Sequence, residues 1–326
     1  MTKAPVIKVA VTETPGTHTA GTPAPLAQAP FALRHVRTSV LDLAFEEHGR
    51  PDGEPVVLLH GFPYDPRGYD AVAPELATRG YRVIVPYLRG YGPTRFLSAQ
   101  TPRSGQQAAL GRDLLELLDV LSIERAALVG YDWGGRAACI VAALWPQRVR
   151  CLVTGNGYNI QDIAGSVVPQ AAEKEHRLWY QYYFHSPRGY DGLTANRAEL
   201  CRLLWRLWSP TWRFDDDTYA RSASSFDNPD FVDVVIQSYR HRFGYVPGDP
   251  ALEDIERELA KRPPITVPTI ALWGADDGVG PPSVEDKDAP RFSSRYERRV
   301  LPGVGHNIPQ EAPAMTITAL MDLLRA

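Results

Sequence analysis

A short apolar strand running directly into Gly130-Tyr131-Asp132-Trp133-Gly134-Gly135-Arg136 restricts this chain more than any other stretch. The spacing is that of a nucleophile elbow, G-x-S-x-G, with aspartate where serine usually stands. In such an elbow a buried strand turns sharply into a helix. The strained turn lifts one side chain out of the sheet, and the flanking glycines remove Cβ atoms that would collide. The exchange of nucleophile also narrows the chemistry. A carboxylate is ionised at pH 7, needs no base, and attacks saturated carbon bearing a strained or good leaving group. Its product is an alkyl ester of the protein, which water must later cleave. Epoxides and alkyl halides suit this logic better than amides or ordinary esters. The plainer reading makes Asp132 a cap for a helix over residues 133–145; partners elsewhere in the chain decide between the two.

Those partners follow in the order nucleophile, acid, histidine. Residues 269–273 read as a buried strand, followed by Gly274-Ala275-Asp276-Asp277-Gly278-Val279-Gly280-Pro281. A carboxylate just past a strand's C-terminal end stands at the rim of the sheet, where ligands bind. Asp276 or Asp277 can orient an imidazole there. Asp277 is preferred, because the G-x-x-D spacing with proline four residues on is common in such loops. A further strand over 297–301 leads to Pro302-Gly303-Val304-Gly305-His306-Asn307. His306 alone among the eight histidines stands in a glycine-rich loop before a closing helix, here expected over 310–325. Its neutral ring would take a proton from water while Asp277 fixes the tautomer.

Upstream, strand 56–59 ends in His60-Gly61-Phe62-Pro63. This turn falls where an oxyanion hole is built, with the backbone N–H groups of Phe62 and Trp133 as donors. His60 is expected to be structural, its ring bonded to backbone. Phe62-Pro63 is a candidate cis peptide.

The chain's 326 residues allow one large α/β core with an insertion. Strands at 41–47, 56–60, 82–86, 126–129 and 150–154 alternate with helical patterns at 69–77 and 105–121, which predicts a mostly parallel sheet with helices on both faces. After Gly155-Asn156-Gly157 this alternation stops. Residues 170–262 read as helices rich in Trp, Tyr, Leu and Arg, including an amphipathic one over 197–213, and strands resume at 267. The division expected is a core at 31–157 and 264–326, with a helical cap at 158–263. Residues 1–30, rich in Thr, Ala, Pro and Gly, are expected to be a flexible tail without a signal peptide.

A net charge of −3 offers no electrostatic case for nucleic acid or anionic membrane, and no run reaches transmembrane length. Cys139, Cys151 and Cys201 show no metal or redox spacing, which fits a reducing, cytoplasmic setting. The chemistry calls for no metal or organic cofactor, and a homodimer is compatible with the sequence.

With these residues in place, the chain resembles the epoxide hydrolases of the α/β-hydrolase fold and their haloalkane and haloacetate dehalogenase relatives, from about Phe31 to the C-terminus. The resemblance rests on His60-Gly61-Phe62-Pro63, Arg89-Gly90-Tyr91-Gly92, the elbow, and Gly305-His306, in the family's order. It implies a small apolar epoxide or halogenated substrate and two cap tyrosines that hydrogen-bond and protonate the epoxide oxygen. One is matched by Tyr180 in Tyr180-Gln181-Tyr182-Tyr183-Phe184, the other by Tyr239 in Ser238-Tyr239-Arg240. Trp179 and Phe184 are the substrate-lining residues expected, from an aromatic set that also includes Trp205, Trp208 and Trp212.

The dehalogenase alternative points to different groups. A leaving halide needs N–H donors, and the Trp133 indole could be one. Where haloalkane dehalogenases often have asparagine, this chain has Phe62, which donates nothing. Arg136 matches a carboxylate-clamping arginine of haloacetate dehalogenases. The second arginine of that clamp is replaced by Trp133, and a structural ion pair is the favoured expectation for Arg136. A non-catalytic, ligand-binding protein on the same scaffold would need a damaged catalytic member, and all three are intact. A serine esterase is disfavoured, because no Gly-x-Ser-x-Gly occurs.

Overall fold

Six adjacent strands run parallel because each is joined to the next by a helix or a long crossover that returns the chain to the same edge. The computed structural model describes residues 31–325; the tail expected at 1–30 lies outside them. A hairpin comes first, β1 (Ala32–Arg37) with β2 (Leu41–His48), followed by β3 (Pro55–Leu59), α1 (Ala73–Thr78), β4 (Arg82–Pro86) and a short β5 (Arg95–Phe96). Next come α2 (Gln107–Val120), β6 (Ala126–Gly130), α3 (Asp132–Leu144) and β7 (Val149–Gly155). The chain then passes through α4 (Ala172–Arg177), α5 (Trp179–His185), α6 (Pro187–Trp208), α7 (Asp216–Ala223), α8 (Phe231–His241) and α9 (Glu253–Ala260). It returns as β8 (Thr269–Gly274), β9 (Tyr296–Leu301), α10 (Ile308–Glu311) and α11 (Pro313–Leu324).

The sheet order is β1-β2-β4-β3-β6-β7-β8-β9, with β5 paired to β2. β2 is antiparallel to both β1 and β4, and every pairing from β4 through β9 is parallel. β6 lies between β3 and β7 and is buried throughout. α3 is apolar on nearly all sides, and residues 133–142 are all buried. A helix apolar all round has to be enclosed, and α2 covers it so closely that a Cβ on Gly111 would come within 2.3 Å of Ile140. Each Leu, Ile or Val buried in this layer contributes roughly 1.5–3 kcal/mol. Among the described residues no helix is long and apolar enough to cross a membrane.

Three elements depart from expectation. β1 is exposed along most of its length and pairs only with β2, so no apolar alternation marks it in the sequence. The helix expected at 69–77 is instead a 3₁₀ turn, Pro66–Tyr69, followed by α1. Pro74 lacks an N–H and is accommodated only in a first turn, which sets the start of α1 at Ala73. The closing helix is two helices, because Pro313 disfavours helical backbone at the preceding residue; Ala312 has φ −136 and ψ 58. The amphipathic stretch expected at 197–213 forms the second half of α6 and stops at Trp208.

Polar ties fix the helical insertion to the sheet. Asp65, buried in the turn after β3, accepts from the hydroxyls of Ser222 and Ser225, each at 2.6 Å. The Trp205 indole donates to the Pro63 carbonyl at 2.6 Å. Ser209, just past α6, donates to Glu311 on α10 at 2.6 Å.

Candidate active site

Asp132 takes φ +49, a left-handed backbone that L-residues seldom adopt, at the junction of β6 and α3. The tight turn is possible because its neighbours are small. A Cβ on Gly134 would lie 2.0 Å from the Leu59 carbonyl oxygen, and one on Gly61 would lie 2.5 Å from the Asp132 Cβ. The Phe62 N–H donates to Asp132 Oδ1 at 2.7 Å. The Trp133 N–H falls in the first turn of α3, where amides have no intrahelical acceptor. Of the two expected oxyanion donors, the Phe62 N–H thus contacts the carboxyl group, and the Trp133 N–H is left without an intrahelical acceptor beside it in sequence. The Phe62-Pro63 peptide is cis.

His306 is 4 % exposed, in the loop between β9 and α10. Its Nδ1 lies 2.7 Å from Asp277 Oδ2, and its Nε2 lies 3.7 Å from Asp132 Oδ2. The second distance is too long for a direct hydrogen bond, which leaves Nε2 buried and unpaired beside the carboxyl group. Asp277 is saturated: Oδ1 accepts from the N–H groups of Val279 and Gly280, and Oδ2 accepts from Asn156 at 2.6 Å. The choice between the two aspartates thus falls on Asp277, and Asp276 has no such contact with the imidazole.

Burial opposes charge on all three groups, yet each is charged. The pull of Asp277 and Asp132 outweighs desolvation and lifts His306 to about 10. Burial would raise the Asp132 carboxyl, but His306, Arg136 and the Phe62 N–H together hold it below its ordinary value. Asp277 is likewise held low against burial, by His306 and its two backbone donors. His60 stands apart: burial pushes it down to about 4, its Nδ1 bonds the Gly61 carbonyl and its Nε2 accepts from the Leu88 N–H. A neutral ring with both nitrogens occupied holds the turn.

Tyr180 and Tyr239, from α5 and α8, are both buried, with ring centroids 5.4 Å apart. Tyr239 packs on Phe62 at 5.4 Å and on Trp133 at 6.2 Å, the residue whose N–H contacts Asp132 and the residue that follows Asp132. Burial pushes Tyr180 up to about 12 and Tyr239 well above its ordinary value, so both keep their protons. Phe184 is fully buried against Phe62, Tyr180 and Tyr239. Trp179 is half-buried and packs behind Tyr180 and Tyr183, and its ring contacts do not include His306. Trp208 bridges Tyr180 and His306, at 5.0 and 5.2 Å. Trp205 stacks between Trp212 and Tyr64, at 5.5 and 5.0 Å.

Arg136 forms no ion pair among the described residues, contrary to the favoured expectation. It is 7 % exposed, and its Nε and Nη1 have no partner. The reason is positional: Arg136 lies one turn after Asp132, inside the site and not on the surface of α3, where acidic neighbours would be available.

Sequence reasoning passed over four residues. Asn156 orients Asp277 from the Asn-Gly turn after β7, and its only signal was that turn. Gln181 donates to the Tyr180 hydroxyl at 2.8 Å. Glu311 accepts from the Gly305 and Asn307 N–H groups on either side of His306. Arg242, with its guanidinium 4.5 Å from the Tyr239 ring, had no signal at all.

Comparison with known proteins agrees with this architecture. A family model for the alpha/beta hydrolase fold matches residues 54–313. A crystal structure from Klebsiella pneumoniae, of a protein provisionally assigned as an epoxide hydrolase, is 47 % identical with a TM-score of 0.88. That match covers 90 % of this chain and 97 % of the other. Epoxide hydrolase A of Mycobacterium tuberculosis is 27 % identical over 89 % of this chain and 96 % of its own. An epoxide hydrolase of Caballeronia sordidicola is 28 % identical over 89 % and 92 %. This chain belongs to the α/β-hydrolase fold family and has epoxide hydrolases among its relatives.

Proposed function

We propose that this protein hydrolyses epoxides to vicinal diols through a covalent ester on Asp132. The observation that carries the reading is the buried pair Tyr180 and Tyr239, set against Phe62 and Trp133 around the nucleophile. An alkoxide leaves poorly without an acid, and two neutral hydroxyls beside an ionised carboxylate supply acid and nucleophile together.

Asp132 attacks a ring carbon, the carbon–oxygen bond breaks, and a tyrosine gives its proton to the departing oxygen. His306 enters the cycle protonated and restores that proton to the tyrosine. Esterification removes the charge on Asp132, one of the groups that held the proton on His306, so the ring becomes a base. It then takes a proton from water as hydroxide adds to the carboxyl carbon, and the Phe62 and Trp133 amides hold the oxyanion. Loss of one such donor typically costs about 3 kcal/mol of barrier. Collapse expels the diol oxygen, which takes the proton from His306. The carboxylic acid left on Asp132 re-protonates the imidazole, and the cycle closes with one water consumed.

The test is intact-protein mass spectrometry of His306→Gln mixed with a panel of epoxides. A stable adduct of substrate mass supports the reading, and Asp132→Asn should form none. Absence of an adduct with every epoxide would refute it. A single turnover of the wild type in ¹⁸O-water should place the label in Asp132 and leave the diol unlabelled.

A second reading, halide release from a haloalkane or haloacetate, is favoured by the Trp133 indole N–H, which is buried without a partner beside the nucleophile. An ion-selective electrode distinguishes it. Saturable binding without turnover would point instead to a non-catalytic ligand-binding role.

A further inference from the structure

The backbone amides of Gly305, His306 and Asn307 end on acceptors shared between α10 and the helical insertion. The His306 N–H is divided between the Trp208 carbonyl at 3.2 Å and Ser209 Oγ at 3.1 Å. Both acceptors lie at the C-terminal end of α6, where the last carbonyls of a helix have no intrahelical donor. The Trp208 carbonyl also accepts from the Gly278 N–H at 3.0 Å, in the loop that carries Asp277. Ser209 has one hydroxyl proton and gives it to Glu311 Oε1, so its lone pairs are left for the His306 amide. Glu311 takes the Gly305 N–H on Oε2 at 2.7 Å and the Asn307 N–H on Oε1 at 2.9 Å.

The fit is close. A Cβ on Gly305 would stand 2.5 Å from the Ser209 Cα, and one on Gly278 would stand 1.9 Å from the Leu207 carbonyl oxygen. The loops of Asp277 and His306 therefore both carry glycine where the end of α6 presses on them. These loops also touch directly, the Asp276 N–H donating to the Val304 carbonyl at 2.9 Å. That contact gives the His306 amide no acceptor; among the described residues Trp208 and Ser209 supply both. A tie that only held the insertion down would not need this amide. Asp65 is such a tie: its carboxyl oxygens take Ser222, Ser225 and the Arg67 N–H, none of them in the loop of Asp277 or of His306. The Trp208 ring, by contrast, meets Tyr180 and His306, so the end of α6 touches both the acid and the base.

We propose that Ser209 and Glu311 are positioning residues for His306, through which the seated insertion sets the aim of the imidazole. The consequence for catalysis rests on the epoxide reading; the tie to the imidazole does not. Ring opening uses Asp132 and the tyrosines, whereas ester hydrolysis needs Nε2 to direct a water at the carboxyl carbon. A misplacement of about 1 Å can cost roughly 10²-fold in such a step. Loss of the Ser209 hydroxyl leaves the Trp208 carbonyl in place, so the shift of the ring, and the loss, should be smaller.

Ser209→Ala, Glu311→Gln and the double variant are compared with wild type and with Ser222→Ala, which breaks an insertion tie at Asp65 instead. Single-turnover mass spectrometry gives the rates of ester formation and ester hydrolysis. Proton NMR of the His306 Nδ1–H, bonded to Asp277, reads the ring without any epoxide. Hydrolysis should fall by roughly tenfold in each single variant while ester formation stays within about twofold. The double variant should be no slower than the worse single, because the pair acts as one unit. The Nδ1–H resonance should move in all three and stay in place in Ser222→Ala. Glu311, half-buried, carries the test if Ser209→Ala fails to fold. An unmoved resonance overturns the proposal whatever the rates, since Ser209 and Glu311 would then act by another route. A moved resonance with the two rates in their wild-type ratio overturns it too, since the aim of the ring would not govern hydrolysis. Equal changes in Ser222→Ala overturn it as well, because any loosening of the insertion would then suffice. A moved resonance in a protein that forms no ester with any epoxide sinks the epoxide reading and leaves the tie between insertion and imidazole standing.

Discussion

The side-chain amide of Gln181 donates to the hydroxyl of Tyr180 at 2.8 Å. A phenol has one proton to give, and here its oxygen already accepts, so the O–H is left for another partner. Gln181 therefore presets the direction of the Tyr180 O–H. Gln181→Glu replaces that donor by an acceptor, and Tyr180 would turn its proton to the new carboxylate. Ring opening should slow by roughly 10²-fold, the lower range for loss of a general acid. Gln181→Leu, which removes the donor without competing for the proton, should cost less. Single-turnover ester formation by mass spectrometry measures both, and equal rates in the two variants would remove Gln181 from the mechanism.

Asp277 holds His306 by one oxygen and is itself held by Asn156, Val279 and Gly280. Asp277→Asn keeps the shape but presents an amide that can stabilise the wrong tautomer. Ester hydrolysis should fall by roughly 10³–10⁴-fold, as when the orienting carboxylate of a comparable triad is lost. Ester formation should suffer less, so the covalent species should build up in the steady state. A variant that slowed both steps alike would mean that Asp277 serves the nucleophile and not the imidazole.

How far the sequence discloses this site depends on how local each signal is. The elbow, the turn at Phe62 and the histidine loop are each written in a few consecutive residues whose glycines serve backbone geometry. The sequence therefore names Asp132, Phe62 and His306 by position, and the strands around them follow from apolar runs. Arg242, Gln181, Asn156 and Glu311 act through side-chain contacts between elements far apart in the chain, which no periodicity records. The exposed β1 escapes for the opposite reason: it buries almost nothing, so it has no apolar pattern to show. Arg136 shows the limit most clearly. Its place on α3 is legible, but its lack of a partner is a property of the surrounding volume.

Protonation of His306 is coupled to folding. Its folded value, about 10, lies above the ordinary 6.5, so the protonated ring favours the native state. That contribution is complete below pH 6.5 and is lost as the pH rises toward about 10. Asp132 and Asp277 move the other way: both lie below the ordinary 3.8, and their contribution disappears only as acid protonates them beneath that value. The difference in unfolding free energy between wild type and His306→Gln should therefore shrink from pH 6.5 to 10. Denaturant titrations at three pH values across that window test this, and a constant difference would contradict it.

The Arg89-Gly90-Tyr91-Gly92 segment has a structural task. Arg89 makes a two-pronged contact with Asp113 on α2, Nε to Oδ2 and Nη2 to Oδ1, both at 2.6 Å. Its Nη1 donates to the Ser104 carbonyl at 2.7 Å. Both side chains are under 10 % exposed. Replacing such a pair as a unit is often tolerated, whereas removing one member strands a buried charge. Arg89→Met should therefore destabilise the protein by about 3–5 kcal/mol, and the double variant Arg89→Met/Asp113→Leu should recover much of it. Burial already raises the Asp113 carboxyl against the pull of Arg89. Without the arginine the acid would take up a proton, so the destabilisation of the single variant should ease as the pH is lowered. Thermal unfolding of the four proteins of the cycle at pH 5 and 8 checks both statements, and a single variant as stable as wild type would show that the ion pair adds no net stability to the fold.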